Sequence, residues 1–302
     1  MGSARMFFAP GLWTQAPALT AAADFVHLQG FYAATNWAVG RAARKAGASI
    51  VCHPHGMFEP YILARSRNKK KMACWLFEDA NMKAATLWRA LTEIEAEQVR
   101  ALVPGARVVV IPNGVEIPGG VSGHHNTRRI GYLGRIHEKK GLTLLLEAWS
   151  QLVGQFPEWE LVIAGPGSGE YLETIRREAQ KLPRVAIRGA LTGGEKDEFL
   201  ASLNLFVLPS VSEGFPMAVL EAMAAGVPVV VTRTSNAPSV DAHDAGWTCS
   251  PDAEDIGAAI RGALDAGVSE LAQRGASARA LMQREYTWQR VTAALLEACE
   301  AA

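Results

Sequence analysis

Through its second half the chain alternates short runs of β-branched and apolar residues with stretches of helical periodicity, a pattern that leaves little choice other than βαβ units on a parallel sheet. RRIGYLG (128–134), WELVIAG (159–165), RVAIRG (184–189), LFVLPS (205–210) and GVPVVVT (226–232) read as strands. Between them GLTLLLEAWSQLVG (141–154), GEYLETIRREAQKL (169–182), GEKDEFLASL (194–203) and the stretch that opens FPMAVLEAM (215–223) read as helices. The strands do not alternate apolar with polar residues, so both of their faces are expected to be covered. The first half is less regular, with strands expected at ADFVHLQ (23–29), ASIVCHP (48–54) and RVVVIP (107–112). IPNGVEIPGGVSGHH (111–125) is rich in Pro and Gly and reads as a linker. The expected organisation is therefore α/β, with one domain over 1–118 and a second over 119–285. A final helix over 286–302 is expected to pack back toward the first domain.

Lysine plus arginine equals aspartate plus glutamate at 30 each. Such a balance gives no long-range attraction for nucleic acid or an anionic membrane, so any polyanion site must be local. Cys52, Cys74, Cys249 and Cys299 are scattered without a CxxC pair, which points to a reducing compartment, the cytoplasm. No apolar run reaches the ~18 residues of a membrane span, and MGSARMFFAPGLW lacks the regions of a signal peptide.

In SEGFPMAVLEAMAAGVPVVV (212–231), Glu213 and Glu221 stand in otherwise apolar surroundings. Glu213 follows a strand and so lies at a carboxyl end of the sheet, where open α/β folds bind ligands. Pro216 suits the first position of the next helix, and the N–H groups of Met217 and Ala218 would form an anion site there. Glu221 is about one turn further, leaning toward the same crevice. Two carboxylates beside an anion site suit a ligand that combines hydroxyls with phosphates. A plainer account makes Glu213 a helix cap and Glu221 half of a surface ion pair. GRIHEKKG (134–141) adds Arg135 and Lys140 at another strand end, two cations able to hold a diphosphate, although such a loop is also compatible with a solvated turn. GPGSG (165–169) lacks the third glycine of a dinucleotide fingerprint.

GRIHEKKG, the AGPG turn and EGFPMAVLEAMAAGVPVV together resemble the retaining nucleotide-sugar glycosyltransferases of family four, over about residues 24–290. The resemblance implies the GT-B fold, two Rossmann-like parallel-sheet domains facing across a cleft. It implies that Arg135 and Lys140 bind the donor diphosphate, and that Glu213 with the following backbone at Gly214, Phe215 and Met217 holds the transferred sugar. Glu221 would take the ribose hydroxyls, Gly165 would line the donor site, and Ile187 to Gly189 would lie against the base. SIVCHPHGMFEP (49–60) resembles the SPHGML segment of the family, which makes His55 the N-domain residue reaching the sugar. Two departures stand out. Gln29 in HLQG replaces a histidine of the usual HxHG, and MFFAPGLW and ADFVHLQG match segments that relatives carry only after some eighty residues. The N-terminal domain is accordingly expected to be incomplete, with 23–29 left as an apolar sheet edge and transfer impaired.

The activity implied is transfer of a hexose from a nucleoside diphosphate sugar to a hydroxyl of a glycan or lipid-linked acceptor. The groups implied in catalysis are Glu213, His55, Arg135 and Lys140, with no protein nucleophile, no cofactor and no metal. A donor-binding protein without turnover and a nucleotide-sugar epimerase of the same fold are the alternatives. His53 and His55 lack a third metal ligand at clear spacing, and His124 and His125 are expected to be solvated. RSRNKKK (65–71) reads as a charged helix end or as a contact for anionic lipid at the inner membrane surface.

Overall fold

The computed structural model describes residues 9–59, 62–63, 67–119, 127–237 and 240–302. His124, His125 and Arg65 lie outside them. The chain divides into two units, Met1–Asn113 with Val291–Ala302, and Gly114–Arg290. The division thus falls between Asn113 and Gly114 rather than after Pro118, and the terminal segment changes unit at Val291 rather than at 286. The segment read as a linker is fixed at its start to the second unit. Val115 N–H donates to the Tyr286 carbonyl at 2.8 Å, Val115 pairs with Thr287 in a β-bridge, and Arg279 donates to the Pro118 carbonyl at 2.5 Å.

The first unit carries a parallel sheet in the order β1 (Phe25–Gln29), β2 (Ser49–His53), β3 (Ala85–Ala90), β4 (Val108–Val110). Among the described residues β1 pairs only with β2, so it is a sheet edge, and its side chains alternate: Val26 and Leu28 are buried, His27 and Gln29 exposed. β3 was not expected from the sequence, and neither was the helix Pro10–Thr20, which carries Pro17 in its interior. The helix Glu93–Leu102 is capped by the Thr92 hydroxyl, which accepts from Glu95 N–H at 3.1 Å. Leu295, Ala298 and Cys299 of the terminal helix pack with Phe25, Val51, Leu87 and Val109.

The second unit has a six-stranded, all-parallel sheet. Its order is β10 (Gly246–Cys249), β9 (Val229–Thr232), β8 (Leu205–Leu208), β5 (Arg129–Leu133), β6 (Glu160–Ala164), β7 (Val185–Arg188). From β5 the chain winds outward through β6 and β7, then returns to β8 on the other side of β5 and continues through β9 to β10. The place where the winding reverses lies between β5 and β8, and in such sheets the loops beyond the carboxyl ends splay apart there to leave a crevice. β5, β6, β8 and β9 are buried almost throughout, as continuous apolar runs require. Helices Leu142–Leu152, Gly169–Gln180, Met217–Ala224 and Ala253–Asp265 contribute Trp149, Ile175, Leu220 and Ile260 to the surrounding core.

Candidate donor site

The loop after β5 is held by backbone hydrogen bonds to the loop after β8 and to the loop after β6. Val211 N–H donates to the Lys139 carbonyl at 2.9 Å, and Ile136 N–H to that of Pro166 at 2.8 Å. Gly141, with φ 65°, ends the short turn Glu138–Lys140, and a Cβ there would strike the Pro209 carbonyl oxygen. Only glycine permits that approach, which brings Lys140 against the end of β8. Gly165 plays the same part at the end of β6: its φ is 144°, a Cβ would strike the Gly134 carbonyl, and its N–H donates to the Gly189 carbonyl at 3.0 Å. The glycines of GRIHEKKG and GPGSG therefore serve close backbone approach at neighbouring strand ends.

Within this frame Lys140 Nζ pairs with Glu213 Oε1 at 2.5 Å, the two side chains only 18 and 12% exposed. The Ser210 hydroxyl donates to the same oxygen at 2.6 Å. Glu213 is fixed through its backbone as well, its N–H donating to the Thr234 carbonyl at 3.1 Å and its carbonyl accepting from Asn236 Nδ2 at 2.5 Å. Glu213 is therefore no helix cap. Arg135 is exposed, and no ion pair of its guanidinium occurs among the described residues. Its carbonyl accepts from the Tyr132 hydroxyl at 2.9 Å, which fixes the backbone from which the side chain projects.

The helix starts at Met217, one residue later than expected, with Pro216 as its N-cap at φ −90° and ψ 85°. Pro216 cannot be the first helical residue because that ψ lies outside the helical region, but it still presets the entry. Val219 N–H donates to the Pro216 carbonyl, whereas Met217 and Ala218 stand in the first turn where no carbonyl precedes them. Gly214 and Phe215 are half-buried in the stretch leading into it, Ile187 is half-buried on edge strand β7, and Gly189 is exposed.

Glu221 does not share the surroundings of Glu213. It pairs with Lys196 at 2.8 Å and, with Lys196, Met217 and Trp288, lines a cavity of about 240 Å³ that Glu213 does not border. Four positions after Met217, it shares with that residue the helix face that borders this cavity. Lys196 and Ser210 are the residues that the sequence reading missed. Ser210-x-x-Glu213 has the spacing at which a hydroxyl and a glutamate meet, a legible signal. Lys196 meets Glu221 across 25 positions and two elements, and no local pattern announces it.

In the first unit His55 follows β2 at φ 52°, a conformation that costs a non-glycine residue of order 1 kcal/mol. The turn is held by buried Glu95, whose carboxylate accepts from Gly56 N–H at 2.5 Å and Leu91 N–H at 2.7 Å. His55 Nε2 donates to Gln29 Oε1 at 2.5 Å, so the residue that replaces the second histidine of HxHG orients this one. His27 Nδ1 and His53 Nε2 share a hydrogen bond of 2.9 Å. Burial first, and then the Arg89 guanidinium, lowers the pKa of all three rings, that of His53 to about 3. They are neutral at physiological pH. Among the described residues no three His, Cys, Asp or Glu side chains gather as metal ligands.

Two Rossmann-like parallel-sheet units, the second with its charged loops at the reversal point, are the make-up of the GT-B fold. The chain belongs to the group 1 glycosyltransferases: the family model "Glycosyl transferases group 1" matches residues 127–266, and the "Glycosyl transferase 4-like domain" matches residues 2–114. It is 28% identical over 209 residues to a phosphatidylinositol N-acetylglucosaminyltransferase component of Arabidopsis thaliana, covering 66% of this chain and 45% of that protein. To the amylovoran biosynthesis glycosyltransferase AmsK of Erwinia amylovora it is 32% identical over 170 residues, 54% of this chain and 42% of AmsK. The chain thus spans less than half the length of these relatives. Its fold is similar to that of Anabaena HepE crystallised with UDP and glucose, at a TM-score of 0.77 and 18% identity over 97% of this chain and 82% of HepE.

Proposed function

We propose that the Gly114–Arg290 unit binds a nucleoside diphosphate sugar, and that the protein transfers the hexose, with retention at the anomeric carbon, to a hydroxyl of a glycan or lipid-linked acceptor. The observation that carries this reading is the ion pair of Lys140 with Glu213 at the reversal point of the sheet, beside exposed Arg135 and the start of the helix Met217–Ala224. Arg135 and Lys140 take the diphosphate, assisted by the N–H groups of Met217 and Ala218. As the bond from the anomeric carbon to the diphosphate breaks, charge grows on the departing phosphate, and preplaced cations stabilise it without a divalent ion. Glu213 and the backbone of Gly214 and Phe215 hold the sugar, Glu221 the ribose, Gly165 lines the donor site, and Ile187 to Gly189 lie against the base. His55, a neutral ring held in one orientation, acts in the transfer step. HepE was crystallised with UDP and glucose, which supports the donor class. The names of the two relatives, one acting on phosphatidylinositol and one in amylovoran biosynthesis, support the acceptor class.

The test is a panel of UDP-, GDP- and ADP-sugars screened by thermal stabilisation, followed by nuclear magnetic resonance of the product formed with a glycan acceptor in the presence of a chelator. A stabilising donor and a product with the donor's anomeric configuration are expected, with His55→Ala losing transfer while keeping donor affinity. No stabilisation by any sugar nucleotide would overturn the donor assignment. Inverted product, release of an epimerised donor, restoration by manganese only, or binding with no transfer would each overturn the corresponding part of the mechanism.

A further inference from the structure

The N-terminal unit holds a feature that the donor chemistry does not use. The helix Arg67–Ala73, a π-helical turn Cys74–Glu78 and the helix Asp79–Ala84 form one continuous run. Ala73, Glu78 and Asn81 face inward, at 5, 0 and 0% exposure. The step of five from Ala73 to Glu78 is wider than an α-helix allows on one face, and the π turn supplies the extra residue. Glu78 Oε1 accepts from Tyr32 N–H at 2.5 Å, which fixes the turn against the loop after β1. With those three positions inward, Lys71, Met72, Trp75 and Leu76 are turned outward. Trp75 is 79% exposed, Met72 51% and Leu76 41%. Large apolar side chains that stand alone on a surface are ordinary, whereas three within five positions mark a contact.

Beside the run opens a recess of about 540 Å³, lined among others by Tyr32, Phe58, Leu63, Met82 and Trp75. Lys70 and Lys71 stand on its wall, with Asp79 the carboxylate among the lining residues. Lys70 donates to the Ile62 carbonyl and its ammonium lies 5.5 Å from the Tyr32 ring centroid, so its charge is held at the cavity. In sequence Arg65, Arg67 and Lys69 add three more cations just before them. Cations, an exposed tryptophan and an apolar recess on one helical run match a phospholipid surface: phosphate outside, a boundary layer for an indole, and hydrocarbon behind. We propose that residues 67–84 are a docking surface for an anionic lipid bilayer, with Lys70 and Lys71 at the lipid phosphates, Trp75, Met72 and Leu76 in the interface and the recess open to an acyl chain.

The test is co-sedimentation of the full chain with vesicles of phosphatidylcholine alone and of phosphatidylcholine mixed with phosphatidylglycerol. Pelleting is expected with the mixed vesicles and is released by salt. Lys71→Gln should weaken it about five-fold, the equivalent of the ~1 kcal/mol that a lysine contributes at such a surface. Trp75→Ser should weaken it further, and both variants should keep the thermal stability of the parent, since both side chains are exposed. UDP titration of the same samples reads the Gly114–Arg290 unit separately, so failure of docking and failure of donor binding are distinguishable. Absence of pelleting, equal pelleting on both vesicle types, or variants that pellet like the parent would overturn the proposal. So would a self-associating parent that Trp75→Ser converts to a monomer, because the patch would then be an interface between copies.

Discussion

Replacing the two cations of the donor loop separates structural from binding roles, because the unliganded protein treats them differently. Lys140 sits on Glu213 at 2.5 Å with both side chains less than a fifth exposed, whereas Arg135 is exposed and has no ion pair among the described residues. Removing one partner of a fully buried pair costs ~3–5 kcal/mol, and of an exposed pair under ~1. Lys140→Ala leaves the Glu213 carboxylate with the Ser210 hydroxyl for company and still some contact with water, so a value between these limits, about 2 kcal/mol, follows. In a unit of 150–250 residues, where 1 kcal/mol shifts the melting temperature by roughly 2–4 °C, this is a loss of about 4–8 °C. Arg135→Ala should change stability by less than ~0.5 kcal/mol. Each should nonetheless weaken UDP or GDP by about ten- to a hundred-fold, the worth of one charge-assisted phosphate contact. Scanning calorimetry with and without nucleotide reads both quantities on the same samples. Equal melting temperatures for the two variants, or a larger drop for Arg135→Ala, would refute the assignment of Lys140 as the structural partner of Glu213.

Three further outcomes follow from contacts of the same kind. Glu213→Gln should bind bare UDP tighter, by up to about ten-fold, because Lys140 is released from its carboxylate, while transfer is lost; isothermal titration showing weaker binding would contradict this. Glu221→Ala should weaken UDP, whereas Lys196→Ala should leave it unchanged or tighter, and a similar loss in both would assign the pair to structure alone. Glu78 is fully buried, and burial raises its carboxyl from 4.5 to about 7. Between these values the folded state holds the proton that the unfolded chain has released, so stability falls as pH rises through that window and the penalty is complete above about 7. Glu78→Gln should therefore be more stable than the parent at pH 8 by up to about 3 kcal/mol and little different near pH 4.5, which denaturant unfolding at the two pH values measures.

The C-terminal sheet was legible because its inner strands are continuous apolar runs, those of β5, β6 and β8 closed by Gly134, Gly165 and Pro209, and the position of Glu213 at a strand end followed from that alone. β3 was not, since ATLWRA places a charged residue where the core should be. Arg89 is only 7% exposed, yet its guanidinium is satisfied by the carbonyls of Ile111 and Pro112 and the side chain of Asn113, partners that only the folded chain brings to it. The helix Pro10–Thr20 was hidden by Pro17, whose missing N–H and ring argue against a helix interior. In the site, the spacing of Glu213 and Glu221 suggested one shared crevice. The structure gives each its own lysine, because the turn between them is set by where Pro216 lets the helix begin, one residue later than the sequence suggested.

The pairing of carboxylates with lysines has a consequence for the order of events at the donor site. On the proposed reading a diphosphate competes with Glu213 for the Lys140 ammonium, so in the unliganded unit Arg135 is the group ready to meet the phosphate first. Transfer of Lys140 from one anion to another is cheap, since the ammonium keeps a charged partner throughout and is never stranded in a partly buried place. The same exchange strips Glu213 of its cation and leaves its oxygens able to accept from the hydroxyls of a sugar, with Ser210 still holding one of them in position. On that reading binding of the phosphates prepares the residue that orients the sugar, and a sugar without a diphosphate meets a carboxylate whose Oε1 is already shared by Lys140 and Ser210.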